Sequence, residues 1–178
     1  LLKKFPNLII ASCSGFGQTG PWAKKPAYDV IVQALGGIMS LTGYENQDPV
    51  RVGSSIGDIC AGLFTTIGIQ TAIIERKKTG KGSLIDVSML DCQIAILENA
   101  ISRFYCEKTI PKKLGSRHPS ISPFEAYKCK DNYLVLAAGN NNLFEKLCKC
   151  LNISSLLEKD DFKTNSKRLK NADKLKAY

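Results

Sequence analysis

Asp58 is the residue on which chemistry would centre. It stands in Ser54-Ser55-Ile56-Gly57-Asp58-Ile59-Cys60, at the start of a long apolar run whose spacing predicts a helix. The first turn of a helix presents unpartnered N–H groups and a partial positive charge, and both favour an ionised carboxylate. In a sheltered site such a carboxylate is a competent nucleophile toward a thioester carbonyl. Acidic residues are also common in first turns for helix-end reasons alone, and that plain preference explains a lone Asp58 more readily than chemistry does.

Tyr28 and Asp29 open the preceding predicted helix, directly after Lys25-Pro26-Ala27. A tyrosine there can orient a substrate or donate a hydrogen bond, although a buried tyrosine with a satisfied hydroxyl is the commoner case. Asp29 reads equally well as a helix N-cap. His118 is the single histidine, set in Gly115-Ser116-Arg117-His118-Pro119. With no second histidine, a histidine metal site or a Ser-His-Asp triad has little to work with, so loop structure or substrate contact is expected of it rather than a general base. Asn140-Asn141-Asn142 reads as a turn and helix cap, with ligand contact as the lesser reading.

Gly15-Phe16-Gly17-Gln18-Thr19-Gly20 matches the Gly-x-Gly-x-x-Gly pattern and follows a predicted strand. In a dinucleotide site the third glycine lies on a helix whose N-terminus faces the pyrophosphate. Here Pro21 follows at once and Pro26 soon after, so a long helix cannot begin on time. No strand ending in an acidic residue follows about twenty residues on, where a ribose partner would sit. The context argues against a dinucleotide.

The elements that must position these residues follow from the pattern. Leu8 to Ser14 reads as a buried strand, Gly15 to Pro26 as a loop, and Asp29 to Thr42 as a helix carrying Gly36-Gly37, against which something must pack closely. A helix capped by Ser54 or Ser55 is expected to bury Ile56, Ile59, Leu63, Ile67 and Ile74, and to end at Thr79-Gly80-Lys81-Gly82. Ser83 to Ser88 reads as a strand, and Leu90, Ile94, Leu97, Ile101 and Phe104 as one face of a further helix. Glu125 to Ala138 reads as a hairpin turning at Asp131-Asn132, followed by a helix over Asn142 to Leu151 and a charged helical tail. Alternating strands and helices followed by a hairpin give an α/β organisation.

The 178 residues suffice for a real core, and 44% hydrophobic composition excludes a disordered chain. No apolar run is read as long enough to cross a bilayer, and no signal peptide is read. The formal charge is +9, but the basic residues are mostly scattered lysines without an aromatic-flanked stripe, so no nucleic-acid role is expected. Seven cysteines without a Cys-x-x-Cys pair point to reduced, largely core-filling thiols and no metal site. Leu1 is not a start methionine, and the chain is expected to be a piece of a longer one.

Taken together, Ser14 to Pro21, Ala27-Tyr28-Asp29, Gly57-Asp58 with Ala61-Gly62, and Thr79-Gly80-Lys81-Gly82 leading into Ile85-Asp86-Val87-Ser88-Met89 resemble the family III CoA-transferases. These CaiB/BaiF-type proteins include formyl-CoA transferase and the α-methylacyl-CoA racemases. The later run from Gly115 through Tyr127 to Asn141 resembles most the mitochondrial succinate–hydroxymethylglutarate (glutarate) branch. The resemblance implies a Rossmann-like α/β large domain with part of a smaller α+β domain, in a family of interlocked dimers. Residues 1–110 would be the central part of the large domain and 111–178 the start of the smaller one.

It further implies that Asp58 is the nucleophile and that Lys25, Ala27, Tyr28 and Asp29 lie along the CoA or substrate. Coenzyme A would be a substrate, with no permanently bound cofactor. The partners would be an acyl-CoA donor, a dicarboxylic acid acceptor and a second copy of the chain, with no membrane partner, in an intracellular, mitochondrial setting. The piece alone is expected to be inactive. The racemase branch carries histidine where this chain has Tyr28, which favours transfer. A racemase or isomerase relative, and a truncated non-catalytic CoA-binding protein, are the alternatives.

Overall fold

The apolar run ending at Gly15 forms strand β1 (Ile10–Ser14), as its short, turn-bounded pattern predicts, but it is not the buried strand expected: its residues alternate between half-buried and exposed. After α1 (Asp29–Leu35), α2 (Ile38–Leu41) and α3 (Ile56–Thr79) the chain returns as β2 (Leu84–Ser88), parallel to β1 and in register from Ile10 opposite Leu84 to Ser14 opposite Ser88. A parallel pair needs such a long crossover, and α3 packs on both strands. The computed structural model describes residues 1–178, which divide into two units, Leu1–Lys113 and Leu114–Tyr178.

The helix expected over residues 29–42 is interrupted. Gly37, at φ 92°, adopts the left-handed conformation that only glycine takes freely, and α1 and α2 are separate pieces on either side of it. The partner that packs on the glycine pair is Gln93: a Cβ on Gly36 would stand 2.4 Å from its Cγ.

Helix α3 runs for 24 residues and ends, as its glycines predict, on Gly80 in the left-handed conformation. Its inward face is not the expected one. Ile59, Leu63, Ile67 and Ile74 are each half or more exposed, whereas Gly57, Cys60, Ala61 and Ala72 are buried. Small residues let the helix axis approach the strands closely; a Cβ on Gly68 would already stand 3.0 Å from Ile85 Cγ2. By length and composition α3 is also apolar enough to cross a membrane, contrary to the sequence expectation. Its small-residue face nevertheless packs on β1, β2, α1 and α4, as the central helix of an α/β unit does. The core beneath it joins Cys60, Ala61, Val87 and Cys92 with Ile56, Ile85, Met89 and Ile96.

The single helix expected from Leu90 to Phe104 is two, α4 (Met89–Ala95) and α5 (Asn99–Glu107), broken where Glu98 takes φ 47°. No glycine or proline marks that break. Ser88 caps α4, its Oγ accepting the Asp91 N–H at 3.2 Å.

In the second unit β3 (Phe124–Lys128) and β4 (Tyr133–Ala137) form the expected antiparallel hairpin, closed by the Cys129 N–H donating to the Asn132 carbonyl at 2.7 Å. Helix α6 (Asn141–Cys150) follows, capped by Asn140, whose Oδ1 accepts the Leu143 N–H at 2.9 Å. Two short 3₁₀ turns lead to α7 (Asn165–Lys170) and α8 (Ala172–Lys176). This stretch is no solvated tail. Leu156, Phe162 and Leu175 share a core with Ala138, Phe144 and Cys148, and Arg168 is wholly buried. Only Cys60, Cys92 and Cys148 of the seven cysteines are buried; the other four are exposed, fewer in the core than expected, and all seven are free thiols.

The hairpin also carries a titratable group with a measurable signature. Burial, and then the buried Glu125 carboxylate, push the Tyr127 phenol up to about 12. The folded state therefore holds this proton more tightly than the unfolded chain, whose tyrosines titrate near pH 10. The associated stability is complete below about pH 10 and is lost as pH rises from there toward about 12. In an alkaline titration, one of the six tyrosines is expected to form phenolate last. Tyr127→Phe should flatten the fall in stability across that window; an unchanged pH profile in the variant would remove the assignment.

Candidate active site

The glycine-rich loop after β1 is held by backbone and carboxylate contacts. Gln18 donates its N–H to Asp86 Oδ2 at 2.8 Å and its Nε2 to Ser14 Oγ at 3.3 Å, and the Leu90 N–H donates to the Gly15 carbonyl at 3.1 Å. A Cβ on Gly15 would lie 2.6 Å from the Ala27 Cβ, so glycine is required there by the chain segment that returns against it. No helix follows Gly20; the next one begins at Asp29. The Gly-x-Gly-x-x-Gly pattern thus serves a turn and a close approach, and the helix a pyrophosphate would need does not start there.

The same loop builds a partly exposed aromatic and cationic cluster. Phe16 meets Trp22 edge-on with ring centroids 5.1 Å apart, and Lys25 Nζ lies 4.6 Å from the Trp22 ring centroid. The family resemblance places Lys25 along the CoA or substrate; it gives Phe16 and Trp22 no such role. The signal was available, since Trp22 is the only tryptophan and follows Gly20-Pro21.

Tyr28 is the N-cap residue of α1, in extended conformation, and is 81% exposed. Ala27 is half-buried beside Gly15. Asp29 is not the N-cap its position suggests. It is the first helical residue of α1 rather than its cap, and its carboxylate is turned inward. Oδ1 accepts the Gly57 N–H at 2.8 Å and Oδ2 accepts from Gln33 Nε2 at 2.7 Å. Both oxygens are engaged within the chain. Gln33, also buried, accepts the Val52 N–H on its Oε1 at 2.8 Å and so ties down the loop that leads into α3.

These contacts explain how α3 begins. Ser55 occupies the N-cap position, as expected, but its side chain makes no capping bond. The orphan N–H of Gly57 is satisfied instead by a carboxylate from another helix. Gly57 can only be glycine in this packing: a Cβ would stand 2.7 Å from Val32 Cγ2 and 3.0 Å from Asp29 Oδ1. Asp58 is the next residue. It lies in the first turn of α3, exposed, with no hydrogen bond or ion pair holding its carboxylate. The backbone of this turn is therefore fixed while the carboxylate beside it stays available. One buried hydrogen bond thus joins the two segments that the sequence marked separately, Ala27-Tyr28-Asp29 and Gly57-Asp58.

His118 and the asparagine run belong to the second unit and have structural partners. His118 Nδ1 accepts the Ser120 N–H at 3.0 Å, and its ring stands 5.0 Å from Phe124. Asn140 caps α6, and Asn141 Oδ1 accepts from Arg168 Nη2 at 2.9 Å. No group of three or more histidine, cysteine, aspartate or glutamate side chains is arranged to hold a metal ion.

Comparison with known proteins gives the family of the chain. The chain is 44% identical to acetyl-CoA:oxalate CoA-transferase of Acetobacter aceti, covering 99% of this chain and 46% of that protein. It is 39% identical to succinyl-CoA:glutarate CoA-transferase of Mus musculus, covering 97% of this chain and 40% of that protein. The solved structure of a CaiB/BaiF family protein from Brucella suis superposes with a TM-score of 0.80 at 40% identity, over 97% of this chain and 46% of that one. A Mycobacterium tuberculosis structure only 22% identical superposes at 0.86, over 99% and 45% of the two chains, a likeness of fold alone. The chain spans less than half the length of each of these proteins. Its α/β fold is that of the CaiB/BaiF proteins, and since the family model described as CoA-transferase family III matches residues 1–178, the whole chain, the protein belongs to that family.

Proposed function

We propose that the complete protein transfers CoA from an acyl-CoA donor such as succinyl-CoA to a carboxylic acid acceptor such as glutarate or hydroxymethylglutarate, with Asp58 as the nucleophile. The observation that carries this reading is the buried bond from the Gly57 N–H to Asp29, which fixes the first turn of α3 while leaving the neighbouring Asp58 carboxylate exposed and unpaired. The names of the relatives, which pair an acyl-CoA with oxalate or glutarate, support the substrate class.

In this mechanism an Asp58 oxygen attacks the acyl carbonyl of the donor, and the C–S bond of the resulting adduct breaks to expel CoA as thiolate and leave a mixed anhydride on Asp58. The thiolate then attacks the aspartyl carbonyl and expels the donor acid as carboxylate, leaving an aspartyl-CoA thioester. The acceptor carboxylate attacks that thioester and releases the thiolate again. Thiolate attack on the acceptor's acyl carbon completes the new acyl-CoA and restores the Asp58 carboxylate. No net proton is consumed. Dividing one exchange into covalent steps lowers each barrier, and every tetrahedral oxyanion on the way calls for hydrogen-bond donors such as backbone N–H groups.

Lys25, Ala27 and Tyr28 would line the thiol end of CoA, with Asp29 holding the turn. Tyr28 has no imidazole to pair with Asp58 for proton abstraction, which favours transfer over racemisation. Residues 1–110 would form the central part of the large domain and 111–178 the start of the smaller one, in an interlocked homodimer of mitochondrial setting. The test is chemical trapping. Incubated with succinyl-CoA and then hydroxylamine, the complete protein should yield a hydroxamate at Asp58, located by peptide mass spectrometry and absent without donor. A hydroxamate on another residue, or none, would refute the assignment.

A further inference from the structure

Gln93, on α4, is wholly buried, and neither its Oε1 nor its Nε2 has a hydrogen-bond partner. Buried amides are almost always paired, because an unpaired one forfeits its hydration without return. The other wholly buried glutamine shows the usual pattern: Gln33 binds Asp29 through its nitrogen and Val52 through its oxygen. Gln93 occupies a notch between two glycines. A Cβ on Gly36 would stand 2.4 Å from its Cγ, and one on Gly57 would stand 3.6 Å from its Oε1. Gly36 therefore makes room for a side chain that ends beside Gly57 and whose polar end gains nothing from the fold. Methionine, unbranched and of similar length, would fill that notch without stranding an amide.

We propose that Gln93 is a positioning residue for Asp58, kept because its carbonyl dipole acts on the first turn of α3. The proposal rests on the reading of Asp58 as the nucleophile. Its Oε1 stands on the buried side of the turn at Gly57, the residue before Asp58, where the helix presents its positive end. While Asp58 is ionised, its own charge complements that end. In the anhydride and thioester states residue 58 is neutral and that complement is gone. Asp29 Oδ1, bonded to the Gly57 N–H, and the unbonded Gln93 Oε1 near the same residue are then the negative ends that remain beside the turn. Gln93 thus favours the acylated states and keeps the turn in one orientation through the cycle, while costing the resting fold some stability.

The test compares the complete wild-type protein with Gln93→Met and Gln93→Leu, using succinyl-CoA as donor. Three quantities are measured: the rate of hydroxylamine-trapped adduct at Asp58, KM for succinyl-CoA, and the thermal unfolding midpoint. Removal of the dipole is expected to slow adduct formation on the order of tenfold, to leave KM unchanged, and to leave the midpoint unchanged or raised. Equal adduct rates in wild type and both variants would overturn the role of Gln93 while leaving Asp58 as nucleophile. Slower adduct formation accompanied by a lowered midpoint in both variants would make Gln93 a packing residue and overturn the proposal equally. Absence of any Asp58 adduct in the wild type would remove the underlying reading, and this inference with it.

Discussion

Asp58→Ala in the complete protein is expected to abolish CoA transfer while leaving the unfolding temperature nearly where it was. The two halves of that expectation have separate physical grounds. The carboxylate is exposed and makes no hydrogen bond or ion pair, so its removal strips nothing from the packing. What stability it contributes is its interaction with the start of α3, about 0.3–1 kcal/mol at an exposed position. Alanine is the best helix former and takes the first turn without strain. The turn itself is held by other groups, the Gly57 N–H on Asp29 and the Val52 N–H on Gln33, which the substitution leaves in place. Activity depends on the missing atoms directly: without a carboxylate neither anhydride nor thioester can form, and turnover should fall by a factor on the order of 10⁴ or more. Exchange assays with succinyl-CoA alongside thermal unfolding of both proteins decide the matter. Normal turnover in the variant would refute the nucleophile, and a large loss of stability would show that Asp58 has a structural task its surroundings do not reveal.

The same separation explains which parts of this molecule were legible in its sequence. Strands β1 and β2, the start and end of α3 and the β3–β4 hairpin follow from local pattern, because turn-forming glycines and apolar periods act over a few residues. The face of α3 did not follow. The helix is apolar on more than one side, so its period announces a helix without saying which stripe is inside. The decision falls to Gly57, Cys60, Ala61 and Ala72, whose small size admits β1, β2 and α4. Large apolar residues look like core in a sequence, and here they face outward.

At the candidate site, the place of Asp58 in the first turn of a helix was legible from local pattern. Helix-end preference explains a lone acidic residue there, and its reading as nucleophile rests on the resemblance to the family III CoA-transferases. The task of Asp29 was not legible. Its bond to Gly57 spans the whole connection from α1 to α3, and no local rule relates an acidic residue at one helix start to the N–H of another. Gln93 was hidden for the opposite reason. It lies in a stretch read for its apolar stripe of Leu90, Ile94 and Leu97, where a glutamine counts as the solvent side. Its burial depends on Gly36, which caps the end of a different helix. The glycine pair Gly36-Gly37 did signal that something approaches closely, but it could not name the residue.

Arg168 is the sharpest case of a charge that the pattern assigns to solvent and the fold places inside, and its removal should produce the largest loss of stability in the second unit. It follows Ser166-Lys167 in a lysine-rich stretch, yet no part of it is exposed. Burial draws its pKa below the ordinary value, though a guanidinium stays charged. The cost of that burial is offset by acceptors that match the planar fork. Nε donates to the Ser122 carbonyl at 2.8 Å, Nη1 to the Phe162 carbonyl at 2.9 Å and Nη2 to Asn141 Oδ1 at 2.9 Å. Its Cζ lies 4.4 Å from the centroid of the Phe144 ring. One side chain thereby ties the loop before β3, the start of α6 and the second 3₁₀ turn to α7. Arg168→Ala would leave two buried carbonyls short of a donor and open a cavity against Phe144, costing about 3 kcal/mol or more. Arg168→Lys should recover only part of this, because an ammonium cannot reach three divergent acceptors while stacking on the ring. Denaturant unfolding gives the magnitude, and hydrogen exchange should show lost protection concentrated in α6 and α7. If Arg168→Ala were as stable as its parent, the guanidinium would be tolerated in this core rather than organising it, and the short C-terminal helices would have to be held by Leu156, Phe162 and Leu175 alone.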